Sequence, residues 1–157
     1  MAHIHEKYDF VVSAFIVYEN KILLIDHKKL NLWLPVGGHI ELDEDPEMAL
    51  WREIEEESGL DKESLEILTT KPTIADPIVM PLYTPNYLDV HQIYDDHKHI
   101  AFIYFFRSKT DRVMLAQEEH HEIKWFSLEE IEDTEFNTVE AIKFYCREAV
   151  KVSSTSF

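Results

Sequence analysis

Glycine is scarce in this chain. At the usual frequency of about 7%, a protein of this length would carry roughly eleven; it has three, Gly37, Gly38 and Gly59. All three bracket a single charged segment, so positions that need unusual backbone freedom or close approach are concentrated there. Cysteine is scarcer still. The lone Cys146 cannot close an internal disulfide, which points to a reducing, cytoplasmic setting. Positive charge is also short, with 15 Lys and Arg against 31 Asp and Glu and a formal net charge of -16. Such a field repels duplex DNA and anionic lipid, so neither a nucleic-acid nor a membrane partner is expected. A small anionic substrate would need a bridging cation. No long apolar run exists to serve as leader or span, since Ile4 to Phe10 is broken by His5, Glu6, Lys7 and Asp9. Repeats and linkers are missing too, apart from a short SSTS tail. What remains, 45% hydrophobic and 12% aromatic over 157 residues, is enough for one globular domain spanning residues 1–157.

The hydrophobic runs predict a mixed sheet with a few helices. Phe10 to Tyr18 and Lys21 to His27 are β-branched and aromatic, and Glu19-Asn20 between them suits a hairpin turn. Leu32 to Pro35 and His39 to Glu41 flank Val36-Gly37-Gly38, where a tight turn and close backbone approach to a ligand are the competing readings of the glycine pair. Asp45-Pro46 reads as an N-cap with proline at the first helical position, and Gly59 as the C-terminal stop. Further strands are expected at Leu65 to Thr70, Ile78 to Met80, Ile100 to Arg107 and Ile123 to Phe126, with an aromatic loop before Ile100. Ser127 with Glu130 forms a capping box, and Asn137 with Glu140 a variant of one, opening a helix to about Val152.

The segment GHIELDEDPEMALWREIEEESGL, Gly38 to Leu60, crowds acids into the last turns of its helix. This is the negative end of the helix dipole, where acids cost about 0.3 to 1 kcal/mol. Like charges at i,i+3 and i,i+4 cost roughly 0.2 to 0.5 kcal/mol more. On a wheel of about 100° per residue, Glu53, Glu56 and Glu57 share an arc of about 100° around Ala49, beside the apolar arc of Leu50, Trp51 and Ile54. Carboxylates converging at the edge of a core fit a hard divalent cation shared with substrate phosphates, better than they fit a solvated face. If the charges serve metal alone, removing the one on Glu57 should slightly stabilise the metal-free protein.

Gly38, five residues, Glu44, seven residues, then Arg52-Glu53-Ile54-Glu55-Glu56-Glu57-Ser58-Gly59-Leu60 resembles the Nudix box, GX5EX7REUXEEXGU with U a bulky apolar residue, at every defined position. The flanking LPVGGHIE and the later IKWFSLEEI are similar to the same family. The resemblance implies an α+β fold, the Nudix α/β/α sandwich with a mixed β-sheet. It also implies Mg²⁺-dependent hydrolysis (Mn²⁺ serving as well) of a nucleoside diphosphate linked to some other group. By that likeness Glu53, Glu56 and Glu57 hold metal, with the Gly37 carbonyl a further ligand, and Arg52 orients the acids through Glu44 or Glu56. The general base is either Glu53 or a later loop acid, Glu118, Glu119 or Glu122, with Glu119 the central candidate.

Nine histidines raise a second metal reading, Zn²⁺ at His91, His97 and His99 or at His120-His121. No third ligand is fixed by spacing, and for His97, Lys98 and His99 a solvated loop is preferred to either a metal or a substrate-phosphate contact. Trp33, Tyr83, Tyr87, Tyr94 and Tyr104 are candidates for stacking on a base, although most aromatics near strands belong to the core. Substrate identity stays open between a nucleoside triphosphate and an ADP-ribose-like compound. A homodimer is compatible with this reading. The alternative is a catalytically silent nucleotide-sensing or partner-binding module, though such versions often lose box acids and here all are present.

Overall fold

The structure, a computed structural model, describes residues 4–155. Two long parallel strands, β1 (Tyr8–Tyr18) and β7 (His97–Ser108), form the spine of one eight-stranded sheet. Their register runs from Tyr8 opposite Lys98 to Val17 opposite Arg107. Each outer edge of this pair is shared by two shorter strands. β4 (Val36–His39) pairs with the first half of β1, and β2 (Lys21–His27) with its last residues. On the other side β6 (Tyr87–Tyr94) takes the first half of β7, and β5 (Leu65–Ile67) its end. Asn86 bridges the gap between β5 and β6: its side-chain carbonyl accepts from Phe105 N at 2.9 Å and its amide donates to Leu68 O at 3.0 Å. β3 (Leu32–Leu34) and β8 (His120–Ser127) extend the sheet from β2.

Alternation along the spine splits the core into two layers. Val12, Ala14, Ile16, Tyr104 and Phe106 face helix α1 (Pro46–Ser58), whose Ala49, Leu50 and Ile54 are fully buried against them. Val11, Phe15, Val17, Ala101, Ile103 and Phe105 face α2 (Leu128–Glu132) and α3 (Glu140–Ser153), meeting Ile131, Tyr145 and Ala149. A mixed sheet with helices on both faces is the expected α/β/α sandwich. Among the described residues no helix is long and apolar enough to cross a membrane.

Local chemistry explains the boundaries. Glu19 and Asn20 both take positive φ, 46° and 65°, as a two-residue hairpin turn requires. The Asp45 side chain accepts from Met48 N at 2.9 Å, Pro46 opens α1, and Gly59 closes it at φ 73°. The Ser127 hydroxyl caps α2 by accepting from Glu130 N.

Other expectations need correction. Gly37 and Gly38 lie inside β4 and form no turn. What approaches them closely is the protein itself: a Cβ on Gly37 would sit 2.2 Å from Val12 O, and one on Gly38 would sit 2.3 Å from a Glu53 carboxylate oxygen. Ile78 to Met80 belongs to no strand, with Ile78 and Met80 almost fully exposed. The strand lies later, at β6, in the segment read as loop; as an edge strand it buries neither face well, so it carries no clean alternation. Asn137 caps no helix. The N-cap of α3 is Val139, without a side-chain bond, and the Asn137 amide donates to Asn31 O instead.

Candidate active site

Arg52 organises the acidic face of α1. Its Nε and Nη2 grip both oxygens of Glu44, each at 2.8 Å. Nη2 also reaches His39 O at 3.0 Å, while Nη1 binds Glu53 at 2.8 Å and Glu56 at 3.3 Å. These contacts use all five guanidinium donors, a fork that lysine cannot reproduce. Arg52 thus contacts both of the acids named for it, Glu44 and Glu56, and Glu53 besides. Glu44 is fixed in turn by Glu41 N at 3.0 Å, and its pKa is lowered chiefly by the Arg52 hydrogen bond.

The three box acids differ in depth. Glu53 is 4% and Glu57 6% exposed, whereas the Glu56 side chain is 59% exposed. Burial, and after it the charge of Glu57, pushes the Glu53 carboxyl up to about 8, against the opposing pull of Arg52. Gly38 leaves the room that this carboxylate occupies. Glu57 accepts from Gly37 N at 2.8 Å and lies 2.5 Å from His120 Nε2. In an extended strand a residue's N–H and C=O leave on the same side, so the Gly37 carbonyl is directed to this edge of β4 as well. These bonds give Glu57 a structural part that its crowding at the helix end did not suggest: the carboxylate ties α1 to β4 and β8.

His120, which the sequence offered only as part of a separate histidine group, is placed beside the box acids by the fold. It is 2% exposed, and its Nδ1 is buried without a hydrogen-bond partner. In β8, Ile123 and Trp125 face α1, and plain alternation would aim His121 that way. A register irregularity intervenes, in which Glu122 pairs with Asp26 and His120 with His27, so His121 is bulged out and His120 turns inward. His27 packs edge-on to it, with ring centroids 5.4 Å apart, and its pKa is lowered by burial and then by His120.

Of the three loop acids, the fold brings Glu119 to the site. Donor atoms of Glu57, Glu119 and His120 all lie within 4.8 Å of one another. The Glu119 carbonyl accepts from Lys28 N, and the Lys28 ammonium donates to the neighbouring Gln117 O. Glu118 and Glu122 are exposed and outside this group.

The remaining candidates disperse. Tyr104 is buried in the α1 layer, Trp33 packs on Phe126 and Phe136, and Tyr87 on Phe105 and Tyr145. Tyr83 lies beneath the Lys71 ammonium, 4.4 Å from the ring centre, with its backbone N–H on Glu47. Tyr94 stacks on His97. The histidine group read as a solvated loop is not one: His97 is 1% exposed at the start of β7, and burial together with His39 and His91 holds His99 down to about 4.

An α/β/α sandwich that gathers carboxylates on its first helix, locked by one arginine, has the architecture of a pyrophosphohydrolase. The NUDIX domain profile matches residues 7–147, and the chain belongs to that family. It is a Nudix hydrolase, a class that generally uses a divalent metal and acts on small nucleotide substrates. The CTP pyrophosphohydrolase of Escherichia coli (strain K12) is 30% identical over 98 residues, covering 60% of this chain and 73% of that protein. A NUDIX-family hydrolase from Clostridium perfringens is 31% identical and superposes with a TM-score of 0.77 over 93% of this chain and 98% of its own. A C. elegans Ap4A hydrolase at 20% identity shares the fold, with a TM-score of 0.62 over 93% of this chain and 95% of its own.

Proposed function

We propose that the chain acts as a single cytoplasmic catalytic domain that hydrolyses the diphosphate linkage of a nucleoside diphosphate linked to a further group, with Mg²⁺ as its cation and Mn²⁺ as a substitute. The observation that carries this reading is the acidic face of α1, where Arg52 locks Glu53 and Glu56 and where Glu57 is held by Gly37 N and His120. A hard divalent ion suits this all-oxygen set. Glu53, buried among acids and held up to about 8, is short of positive charge, and a cation at this face would supply it. The Gly37 carbonyl is the further ligand. When bound, the cation neutralises the diphosphate oxygens and lowers the pKa of an attacking water.

The protein's own groups do the rest. Arg52 holds Glu53 and Glu56 through one nitrogen, Nη1, while anchored to Glu44. Glu119 takes the proton from water as its oxygen attacks phosphorus and the bridging P–O bond breaks. Its exposed carboxylate is free to approach a substrate, whereas Glu53 is already engaged by Arg52. A nucleoside triphosphate is the substrate class to test first, because the E. coli relative is a CTP pyrophosphohydrolase. The net charge of -16 also favours a small nucleotide over a polynucleotide.

A panel of nucleoside triphosphates and nucleoside diphosphate derivatives, assayed for released nucleoside monophosphate, tests the reading. Activity should vanish with chelator and return with Mg²⁺ or Mn²⁺. Selective return with Zn²⁺, or no hydrolysis of any panel member, would overturn it.

A further inference from the structure

On the opposite face of the sheet from α1, β1, β4, β6 and β7 assemble a second polar cluster that the hydrolytic site does not use. Asp9 and Val11 share a face of β1, as His97, His99 and Ala101 do on β7; Val11 and Ala101 belong to the layer facing α3. The register sets His99 opposite Asp9 on one side and His91 on the other, and His39 opposite Val11. Four strands thus deliver four imidazoles and a carboxylate to one end of one face.

The carboxylate is fully buried. Asp9 accepts from Ile4 N and His5 N, at 3.1 and 2.7 Å, and lies 3.1 Å from His39 Nε2 and 3.3 Å from His97 Nε2. The His39 and His99 rings meet edge to face with centroids 5.0 Å apart, and His97 and His91 stand 5.5 and 5.6 Å from His99. One atom each from Asp9, His39 and His99 fall within 4.8 Å of one another. His97 is fixed beside the same carboxylate, its Nδ1 donating to Glu6 O at 3.0 Å.

We propose that Asp9, His39 and His99 bind a divalent transition-metal ion of the Zn²⁺ class, with His97 the nearest further donor on the same carboxylate. Two imidazoles and one carboxylate are a ligand set that selects such ions over Mg²⁺. Bound ligand atoms about 2.0 to 2.2 Å from such an ion would lie closer together than they do here, so side-chain rotation must draw the three inward. This site is separate from the α1 acids and does not depend on the hydrolase reading.

The test is titration of chelator-stripped protein with Co²⁺ and Zn²⁺ in excess Mg²⁺, following the visible Co²⁺ absorption and its displacement by Zn²⁺. About one equivalent should bind with an imidazole-type spectrum. His99→Asn should weaken binding by about 10- to 100-fold, while Glu57→Gln leaves it unchanged. Absence of binding, or loss in Glu57→Gln with retention in His99→Asn, would overturn the proposal. Should His99→Asn fail to fold, the wild-type imidazole NMR signals decide: Zn²⁺ must move those of His39 and His99, and movement confined to His120 and His27 contradicts the assignment.

Discussion

The two faces of the sheet solve the problem of buried charge differently. On the α1 side, the carboxylates of Glu44, Glu53 and Glu56 meet one guanidinium that spends every donor on them and on His39 O, while Glu57 turns to Gly37 N and His120. Facing α3, one buried carboxylate meets backbone N–H groups and imidazoles. The first arrangement is built of carboxylate oxygens, and the second is rich in imidazole nitrogen. One sheet can therefore carry an acid-rich set on one face and an imidazole-rich set on the other, because alternation along β1 and β4 sends adjacent residues to opposite sides. Gly38 makes room for Glu53 on one face and His39, the next residue, reaches Asp9 on the other.

The sharpest way to break this contrast is to remove the acids. Glu53→Gln or Glu119→Gln should lower kcat by about 10² to 10⁴, and only Glu53→Gln should weaken Mg²⁺ binding. Equal loss of metal in both would make Glu119 a ligand, and full activity in Glu119→Gln would return the proton to Glu53. Arg52→Lys keeps the charge but forfeits the fork, so steady-state kinetics should give a loss of about 10- to 100-fold.

Smaller effects separate the glycines and the deeper acids. Gly37→Ala drives a Cβ into Val12 O, which is backbone, whereas Gly38→Ala meets the movable end of Glu53. Gly37→Ala should therefore lower the unfolding temperature more, and Gly38→Ala should cost activity at nearly normal stability. Glu57→Gln keeps an oxygen for Gly37 N but loses the charged contact with His120. The metal-free variant should be less stable by about 1 kcal/mol by denaturant titration, despite relief at the helix end worth about 0.3 to 1 kcal/mol.

Titration gives the gentlest signal. Glu53 has a folded pKa of about 8 against an ordinary 4.5, so between these values the folded state binds the extra proton. Its stabilising share is complete below about pH 4.5 and is lost as pH rises through 8. Metal-free unfolding curves should show this decline, and saturating Mg²⁺ should flatten it.

Where local chemistry decided the outcome, the sequence was readable. Asp45, Pro46 and Gly59 marked the ends of α1, and the period of the acids put Glu53 and Glu57 on its inner face. Where the outcome depended on register between distant strands, it was not. His120 turns inward only because the pairing of β8 with β2 slips at Asp26, and no spacing within EEHHE records that slip. The Asp9 cluster draws on four strands whose order is fixed by β1 and β7 running parallel, so His97 and His99 read as a loop. β6 stayed hidden because a strand exposed along its edge has no pattern to display.

Mn²⁺ binding followed by electron paramagnetic resonance, comparing the wild type with Glu53→Gln at neutral pH, tests the central claim most directly. If the Arg52-locked acids of α1 are the cation site, the variant should bind Mn²⁺ at least about tenfold more weakly. Equal affinity in the two proteins would contradict the account and send the cation elsewhere on the fold.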